Sequence, residues 1–289
     1  MKIKIETYVA EKRNITAEFR IQARTTISYW TEQLILKSMS GWLLSIVLTL
    51  SGTGQGIFTP MSLLDQILPA DFLLNIFSDL KQSRLRILEL LPDPHHDVPK
   101  METAMKLYFG IIRGFVEAST SEGSIQASKL RHSLRFRWTQ SLLGSNPEAQ
   151  NDAVFEAANL MMNFAFWHMK HAAMVSAKPD LDMEEAKKVH TSLRKAAGLI
   201  KFVQDTLVHQ LVEKVKHGSD LDIRVISAYL NQCTAEAQEV TIARAIELKH
   251  NPGLISSLSY ETSKMFTTAA DSLSTLEPKS FGHWRATSN

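Results

Sequence analysis

Long segments with helical hydrophobic periodicity, separated by short breaks, constrain the fold of this chain more than any other feature. They begin near Phe72 and continue to Leu276. Apolar residues recur every three or four positions within each segment, as they do on the buried side of an amphipathic helix. We predict helices over Phe72–Leu91, Lys100–Ala118, Ile125–Leu143, Pro147–Ala177, Asp182–Lys216, Asp220–His250 and Pro252–Leu276, with no strand among them.

The breaks between these segments contain proline, glycine, asparagine and aspartate, which end one helix and begin the next. In the NPG break, Asn251 can cap the following helix, and Pro252 fits its first turn because a missing amide proton costs nothing there. Short links between long helices favour antiparallel hairpins packed side by side. No fixed repeat of about 34 or 40 residues occurs. The sequence therefore predicts an all-α fold, an irregular array of long antiparallel helical hairpins.

The predicted helix that ends at the NPG break carries apolar residues on opposite sides. At about 100° per residue, Cys233, Ala237 and Val240 share one stripe, whereas Ile242 and Ile246 point away from it. One stripe serves the core. The other needs a neighbour, either a second helix of this chain or a molecule that arrives from outside.

The next predicted helix also has a wide apolar arc. Leu254 and Leu258 stand four residues apart with Met265 further along the same line, beside a stripe formed by Ile255, Thr262, Phe266 and Leu273. Two adjoining helices with surplus apolar surface form a groove, and such a groove is where an amphipathic helix docks. The pattern leaves open whether further helices of the same domain cover this surface.

Composition narrows the class of protein. With 289 residues, of which 44% are hydrophobic and 21% charged, the chain is globular and long enough for one large or two medium domains. A formal charge of +2 gives no drive for nonspecific nucleic-acid binding. Cys233, the single cysteine, excludes an intramolecular disulfide framework and fits a reducing cytosol. Its place on an apolar stripe indicates a small core residue.

Residues 1–71 form a separate, unassigned N-terminal segment. Its apolar run, Gly41–Leu50, is too short for a bilayer span of roughly 20 residues and starts too deep for a cleaved signal peptide. We expect a buried helix or a sequence outside the folded domain. The glycines at 52, 54 and 56 suggest a phosphate-binding loop only faintly, because the Gly-Lys-Ser/Thr ending is missing.

Catalytic and metal-binding patterns are scarce in the sequence. His168 and His171 are three residues apart on a predicted helix, but no third ligand stands at a matching spacing. They are better interpreted as a partly buried structural pair. His95 and His96 fall in a proline-rich loop, and the single cysteine lacks a motif for a thiolate. We therefore expect no enzyme activity, no cofactor and no metal.

Basic residues supply an alternative binding surface. The stretch KLRHSLRFRW holds Lys129, Arg131, Arg135 and Arg137 with Phe136 and Trp138 interleaved. This composition suits phosphates or acidic membrane lipids, and it equally suits a solvated helix face with two core aromatics. A second basic set on one long helix, which would favour an acidic partner, consists of Lys187, Lys188, Arg194, Lys195 and Lys201.

Several stretches resemble the BRO-domain family. They are NIFSDLKQSRLRILELL (Asn75–Leu91), KLRHSLRFRWTQSLLG (Lys129–Gly144), NDAVFEAANLMMNFAFWHMKHA (Asn151–Ala172), MEEAKKVHTSLRKAAG (Met183–Gly198) and QCTAEAQEVTIARAIELKHNPGLISSLSYETSKMFTTAADSLSTLEP (Gln232–Pro278). The likeness runs in order with few gaps from about Asn75 to Arg285. Collinear agreement of this extent is more specific than any short motif.

The resemblance implies that residues 72–289 are a partial BRO domain, incomplete at both ends. Such domains are curved all-helical scaffolds, with hairpins arranged like a tetratricopeptide solenoid, and have no enzymatic activity. The implied function is a noncatalytic adaptor of the endosomal sorting (ESCRT) pathway. The implied partner is the C-terminal amphipathic helix of charged multivesicular body protein 4 subunits of ESCRT-III, and the implied contacts are Thr241, Leu254 and Leu258.

The resemblance also bears on localisation. We expect a cytoplasmic protein that is recruited to endosomal or other membranes. The last four residues, Ala286–Asn289, are not a prenylation box, so we expect no stable lipid anchor. The alternative from the residues themselves is a basic helical protein that contacts acidic membrane surfaces through the stretch around Lys129 and the basic face of the helix around Lys187.

Overall fold

The computed structural model describes residues 70–119, 125–178 and 181–276. Its helices are α1 (Ala70–Leu90), α2 (Val98–Val116), α3 (Ala153–Ser176), α4 (Met183–Phe202), α5 (Ile223–Glu247) and α6 (Pro252–Ser274). Its strands are β1 (Glu117–Ser119), β2 (Ile125–Ala127), β3 (Phe136–Gln140) and β4 (Gly144–Gln150). The expectations about the apolar run Gly41–Leu50, the glycines that follow it and the end Ala286–Asn289 lie outside the described residues.

The all-α prediction is confirmed, but the absence of strands was wrong. Instead of a helix over Ile125–Leu143, the chain forms two small antiparallel hairpins, β1 with β2 and β3 with β4. In β3, Phe136, Trp138 and Gln140 are buried and Arg137 is exposed, the alternation of a half-buried strand. The predicted helix Pro147–Ala177 likewise starts too early, because its first residues belong to β4.

The predicted helix Asp182–Lys216 is wrong in its second half. α4 ends at Phe202 and continues as a π-helical turn, Val203–Leu207, and a 3₁₀ turn, Val208–Gln210. The following segment is irregular, and it ends where the Asp222 side chain accepts the amide N–H of Arg224 and caps α5. The predicted start of this helix at Asp220 therefore shifts to Ile223.

Capping residues set most other helix starts. Asp152 accepts the amide N–H of Val154 at 2.9 Å at the start of α3, and Asp182 forms a capping box with Glu185 at the start of α4. At α6, the side chain of Asn251 accepts the amide N–H of Gly253 at 2.8 Å, with Pro252 at the first helical position. The cap predicted for the NPG break is thus confirmed.

A buried polar cluster around Glu156 joins the first helices and β3 to α3. The carboxylate accepts hydrogen bonds from Arg84 Nε at 2.7 Å, Tyr108 Oη at 2.7 Å and Trp138 Nε1 at 2.6 Å. Glu156 is fully buried, and the guanidinium of Arg84 also lies 5.0 Å from the Trp138 ring centroid. Since every donor comes from a different element, this carboxylate fixes α1, α2 and β3 around α3.

Helices α3 to α6 pack in sequence order, each against the next. α3 is buried along most of its length and lies at the centre of the main core, which also contains Tyr108, Ile200 and Ile226. A smaller cluster, at the other end of these helices, joins Ala172 and Val175 of α3 with Val189 and Leu193 of α4 and Ala237 of α5. α6 is the last helix of the array in the described part of the chain.

Candidate functional site: the flank of the α5–α6 hairpin

α5 is buried on two opposite faces, so each of its two apolar stripes has a neighbour. One face, with Ile226 and Cys233, belongs to the main core. The opposite face is buried at Ala235 and Ile242, and α6 packs against α5 there. The neighbour of the second stripe is therefore a helix of the same chain, although Ile246 remains 43% exposed near the end of α5.

α6 is seated on α5 by a narrow face. Thr262 and Ala269 are its buried residues, and they lie two turns apart at the centre of that face. Leu258 and Met265 are half-buried at one edge. Leu254, which lies further out on the same edge, is 52% exposed. The predicted surplus of apolar surface on α6 therefore remains accessible at its first turns.

The exposed apolar edges of α5 and α6 adjoin each other. Thr241 is exposed and lies between the two buried faces of α5. α6 returns antiparallel to α5, and at about 100° per residue its Leu254 edge then faces the same side as Thr241. We call the surface formed by Thr241, Leu248, Leu254 and Leu258 the α5–α6 flank.

The sequence analysis did not predict that Leu248 belongs to this flank. This residue directly follows the last residue of α5 and is 54% exposed. Its signal is present in the sequence, because it stands seven residues, or two turns, after Thr241 and hence on the same side of the helix.

The flank is apolar although one of its members carries a hydroxyl. The Thr241 Oγ1 donates to the carbonyl oxygen of Ala237 at 3.2 Å, so its hydroxyl is satisfied within α5. The charged groups nearby pair with each other. Arg244 contacts Glu247 at 2.9 Å, and Lys264 contacts Glu261 at 3.2 Å. A hydrophobic side chain that docks on the flank therefore leaves none of these polar groups buried without a partner.

The basic stretch around β3 is divided between surface and interior. Lys129, Arg135 and Arg137 are exposed. Arg131 instead makes two 2.8 Å hydrogen bonds to the carboxylate of Asp152, and the pair raises the pKa of the guanidinium. The aromatic residues between these cations, Phe136 and Trp138, are buried in the main core.

The histidine pair of α3 serves packing. His171 Nδ1 donates to the carbonyl oxygen of Pro94 at 2.8 Å, and Trp167 Nε1 donates to that of Asp93 at 3.0 Å, so α3 holds the α1–α2 loop. His168 is fully buried, and burial lowers its pKa to about 4. Within the described residues, no group of three or more histidine, cysteine, aspartate or glutamate side chains is placed to hold a metal ion.

Two further properties concern reactivity and membranes. Cys233 is buried, and burial raises the pKa of its thiol well above the ordinary value, which opposes thiolate chemistry. Among residues 70–119, 125–178 and 181–276, no helix combines the length and the hydropathy that a bilayer span requires.

Comparison with known proteins gives a consistent assignment. The family model of the BRO1-like domain matches residues 119–287. The chain is 46% identical over 211 residues to the BRO1 domain-containing protein BROX of Xenopus tropicalis and 45% identical over 210 residues to that of Homo sapiens. Each of these alignments covers 73% of this chain and 51% of the relative.

A more distant relative extends the comparison. The BRO1 domain-containing protein BROX homolog of Caenorhabditis elegans is 32% identical over 227 residues, which cover 76% of this chain and 53% of the relative. The chain thus spans about half the length of the curated relatives it matches. Because the family model covers more than half of this chain, and because the observed helical hairpins agree with the resemblance in the sequence, the chain belongs to the BRO1-like domain family.

Proposed function

We propose that the protein is a noncatalytic adaptor of the ESCRT pathway. In this proposal it holds the C-terminal amphipathic helix of a charged multivesicular body protein 4 subunit of ESCRT-III on the α5–α6 flank, and this contact recruits it from the cytoplasm to endosomal membranes. The observation that carries the proposal is the 52% exposure of Leu254, which lies at the edge of the α6 face that is seated on α5. Membership of the BRO1-like domain family supports the adaptor role.

The arrangement of the flank suits an incoming helix. Leu254 and Leu258 are one turn apart, so they present two apolar side chains in a row along α6. Thr241 adds a small side chain from α5. An amphipathic helix contacts such a row through apolar side chains that are spaced three or four positions apart. This is the helix-in-groove mode of recognition.

The energetics are adequate for a weak complex. Full burial of a leucine side chain is worth about 1.5–3 kcal/mol, and Leu254 still exposes about half of its surface. It therefore contributes on the order of 1 kcal/mol on docking, of the roughly 8 kcal/mol that a micromolar complex needs. The remaining free energy has to come from Leu258, Leu248 and the residues of the partner.

A second candidate is peripheral contact with acidic membranes through Lys129, Arg135 and Arg137, which the exposure of these side chains favours. The engagement of Arg131 with Asp152 reduces the number of cations available to lipid headgroups. Salt separates the two candidates. Binding through exposed charges weakens steeply with ionic strength, whereas apolar docking depends on it much less.

The proposed function is tested by titrating the full chain with a fluorescently labelled peptide of the ESCRT-III C-terminal helix. We expect Leu254→Asp and Leu258→Asp to abolish binding, because each places an unpaired charge in the buried contact. The matched control is Tyr260→Asp. Tyr260 is 66% exposed on α6 but points away from the flank, so this variant should bind like the wild type.

Circular dichroism establishes that the three variants keep the helical content of the wild type. Binding of the peptide by Leu254→Asp and Leu258→Asp with wild-type affinity would overturn the proposed contact. The opposite result is a chain that does not bind the peptide but binds vesicles of acidic phospholipid and dissociates from them at high salt. That result would favour membrane contact over the adaptor function.

A further inference from the structure

The irregular segment before α5 projects an apolar side chain into solvent. Leu211 and Val215 are half-buried and pack against the main core, so both ends of the stretch between them are fixed. Val212 lies between these anchors and is 71% exposed, more than any other large hydrophobic side chain in the described part of the chain. A single exposed valine is ordinary on a protein surface, so its surroundings decide whether it has a role.

Cations from two segments surround Val212. Two lysines of its own segment are exposed. The guanidinium of Arg131 donates to the carbonyl oxygen of Gln210, which holds this segment against the chain that leads into β3. A lysine and an arginine on either side of Arg131 are exposed there. The residues that we call the basic tip are Val212, Lys214, Lys216, Lys129 and Arg135.

The basic tip carries positive charge that intramolecular contacts do not neutralise. Among the residues that the structure describes, none forms an ion pair with any of its four cations. Glu213 beside Val212 is exposed, whereas Glu148 of β4, which lies near Lys216, is buried. Burial raises the pKa of Glu148 and so opposes its ionisation. Four exposed cations against one exposed carboxylate leave a net positive surface.

A projecting apolar side chain among cations suits an acidic lipid surface. Each lysine or arginine close to such a surface is attracted to the anionic headgroups, and an apolar side chain inserts at the boundary between headgroups and acyl chains. A lipid headgroup layer deforms around a side chain that projects into it. A protein partner would instead need a preformed hollow that matches Val212, because tight packing at protein interfaces requires complementary shapes.

We infer that the basic tip inserts Val212 into the headgroup region of membranes rich in anionic phospholipid. This contact rests on the membrane candidate proposed for Lys129 and Arg135, but it accompanies the adaptor function and does not replace it. The segment of Val212 leads into the first residue of α5, whereas Leu248 of the α5–α6 flank follows the last. Since α5 has 25 residues and is about 37 Å long, the membrane and the ESCRT-III helix bind at opposite ends of it.

The first test is cosedimentation of the full chain with vesicles of phosphatidylcholine and phosphatidylserine at about 100 mM salt. Each cation near an acidic surface strengthens binding about fivefold, so Lys214→Glu should weaken it at least fivefold. Val212→Ser should weaken it by a similar factor, because the polar side chain does not insert. Lys188→Glu is the matched control. Lys188 is exposed about 20 Å along α4 from Phe202, where α4 ends beside the start of α5, and its reversal should leave binding unchanged.

The second test detects insertion directly. Cys233 is the single native cysteine and is buried, so Val212→Cys can be labelled with an environment-sensitive dye. Phospholipids brominated in their acyl chains should quench this dye. They should not quench the same dye on Tyr260→Cys, whose side chain is 66% exposed on α6.

The outcomes separate this contact from the functions on which it builds. Vesicle binding without quenching at position 212 would overturn the insertion, and so would wild-type binding by both Lys214→Glu and Val212→Ser. The membrane candidate would survive either result, whereas a wild-type chain that bound no vesicles would remove both. Leu254→Asp should bind vesicles like the wild type while it loses the ESCRT-III peptide. Loss of vesicle binding in Leu254→Asp would contradict two separate contacts.

Discussion

Removal of the Glu156 carboxylate should destabilise the protein more than any loss of a surface charge. Glu156 is fully buried and accepts hydrogen bonds from Arg84, Tyr108 and Trp138 at 2.6–2.7 Å. Glu156→Ala leaves the guanidinium of Arg84 without its partner, and two further buried donors lose their acceptor. Breaking a buried ion pair in this way costs about 3–5 kcal/mol, a large part of the 5–15 kcal/mol that stabilises a typical domain.

The assay is urea unfolding of the wild type and the variants, followed by far-UV circular dichroism. Glu184→Ala is the control, because the pair between Glu184 and Lys187 is exposed and its loss should cost less than about 1 kcal/mol. A double-mutant cycle with Arg84→Met should give a coupling free energy of about 1–3 kcal/mol. If Glu156→Ala lowered the free energy of unfolding no more than Glu184→Ala, the carboxylate would not hold these elements together.

Two further predictions concern α3. Asp152→Ala removes both the cap of α3 and the partner of Arg131, so we expect a loss of about 2–4 kcal/mol in the free energy of unfolding, measured by urea titration; a loss below about 0.5 kcal/mol would contradict the assigned role. Burial lowers the pKa of His168 to about 4, so the folded state keeps this ring neutral. The unfolded ring takes up a proton below its ordinary pKa of about 6.5, and stability therefore falls as the pH drops from about 6.5 towards 4, by roughly 3 kcal/mol. His168→Phe should remove most of this decline between pH 6.5 and 4, and an unchanged pH profile would show that other groups cause it.

Local signals in the sequence predicted the helix boundaries that depend on neighbouring residues alone. Asn251 and Pro252 start α6 through one hydrogen bond to Gly253 and one restricted backbone angle, and both can be recognised from residue type. The end of α4 at Phe202 has no comparable local signal. It depends on the irregular segment that follows, whose Asp220 accepts hydrogen bonds from the backbone N–H of Ser141 in the distant β3–β4 hairpin.

The β3–β4 hairpin shows how a short strand can be concealed by helical spacing. Leu130, Leu134 and Trp138 stand four residues apart, which matches one side of a helix. The alternating burial of Phe136 to Gln140 lasts for only five residues, too few to outweigh that spacing. Pairing with β4 and the bond from Trp138 to Glu156 decide in favour of the strand, and both are contacts between distant parts of the chain.

The sequence predicted the apolar character of the candidate site but not the solvent exposure of its side chains. Periodicity indicated that Leu254 and Leu258 share an apolar line, and the family resemblance marked Thr241 beside them. Whether another helix covers that line depends on the packing of the whole array. The half exposure of Leu254 follows only once α5 and α6 are placed together.

The most direct test of the proposed contact uses the fact that Cys233 is the single native cysteine and is buried. A thiol introduced by Leu254→Cys is then the reactive one among the described residues, and its rate of alkylation reports access to the α5–α6 flank. We predict that a saturating amount of the ESCRT-III helix peptide slows alkylation of the Leu254→Cys variant at least tenfold, and leaves the rate of Tyr260→Cys unchanged. Equal alkylation rates of Leu254→Cys with and without the peptide would contradict the assignment of this flank as the binding site.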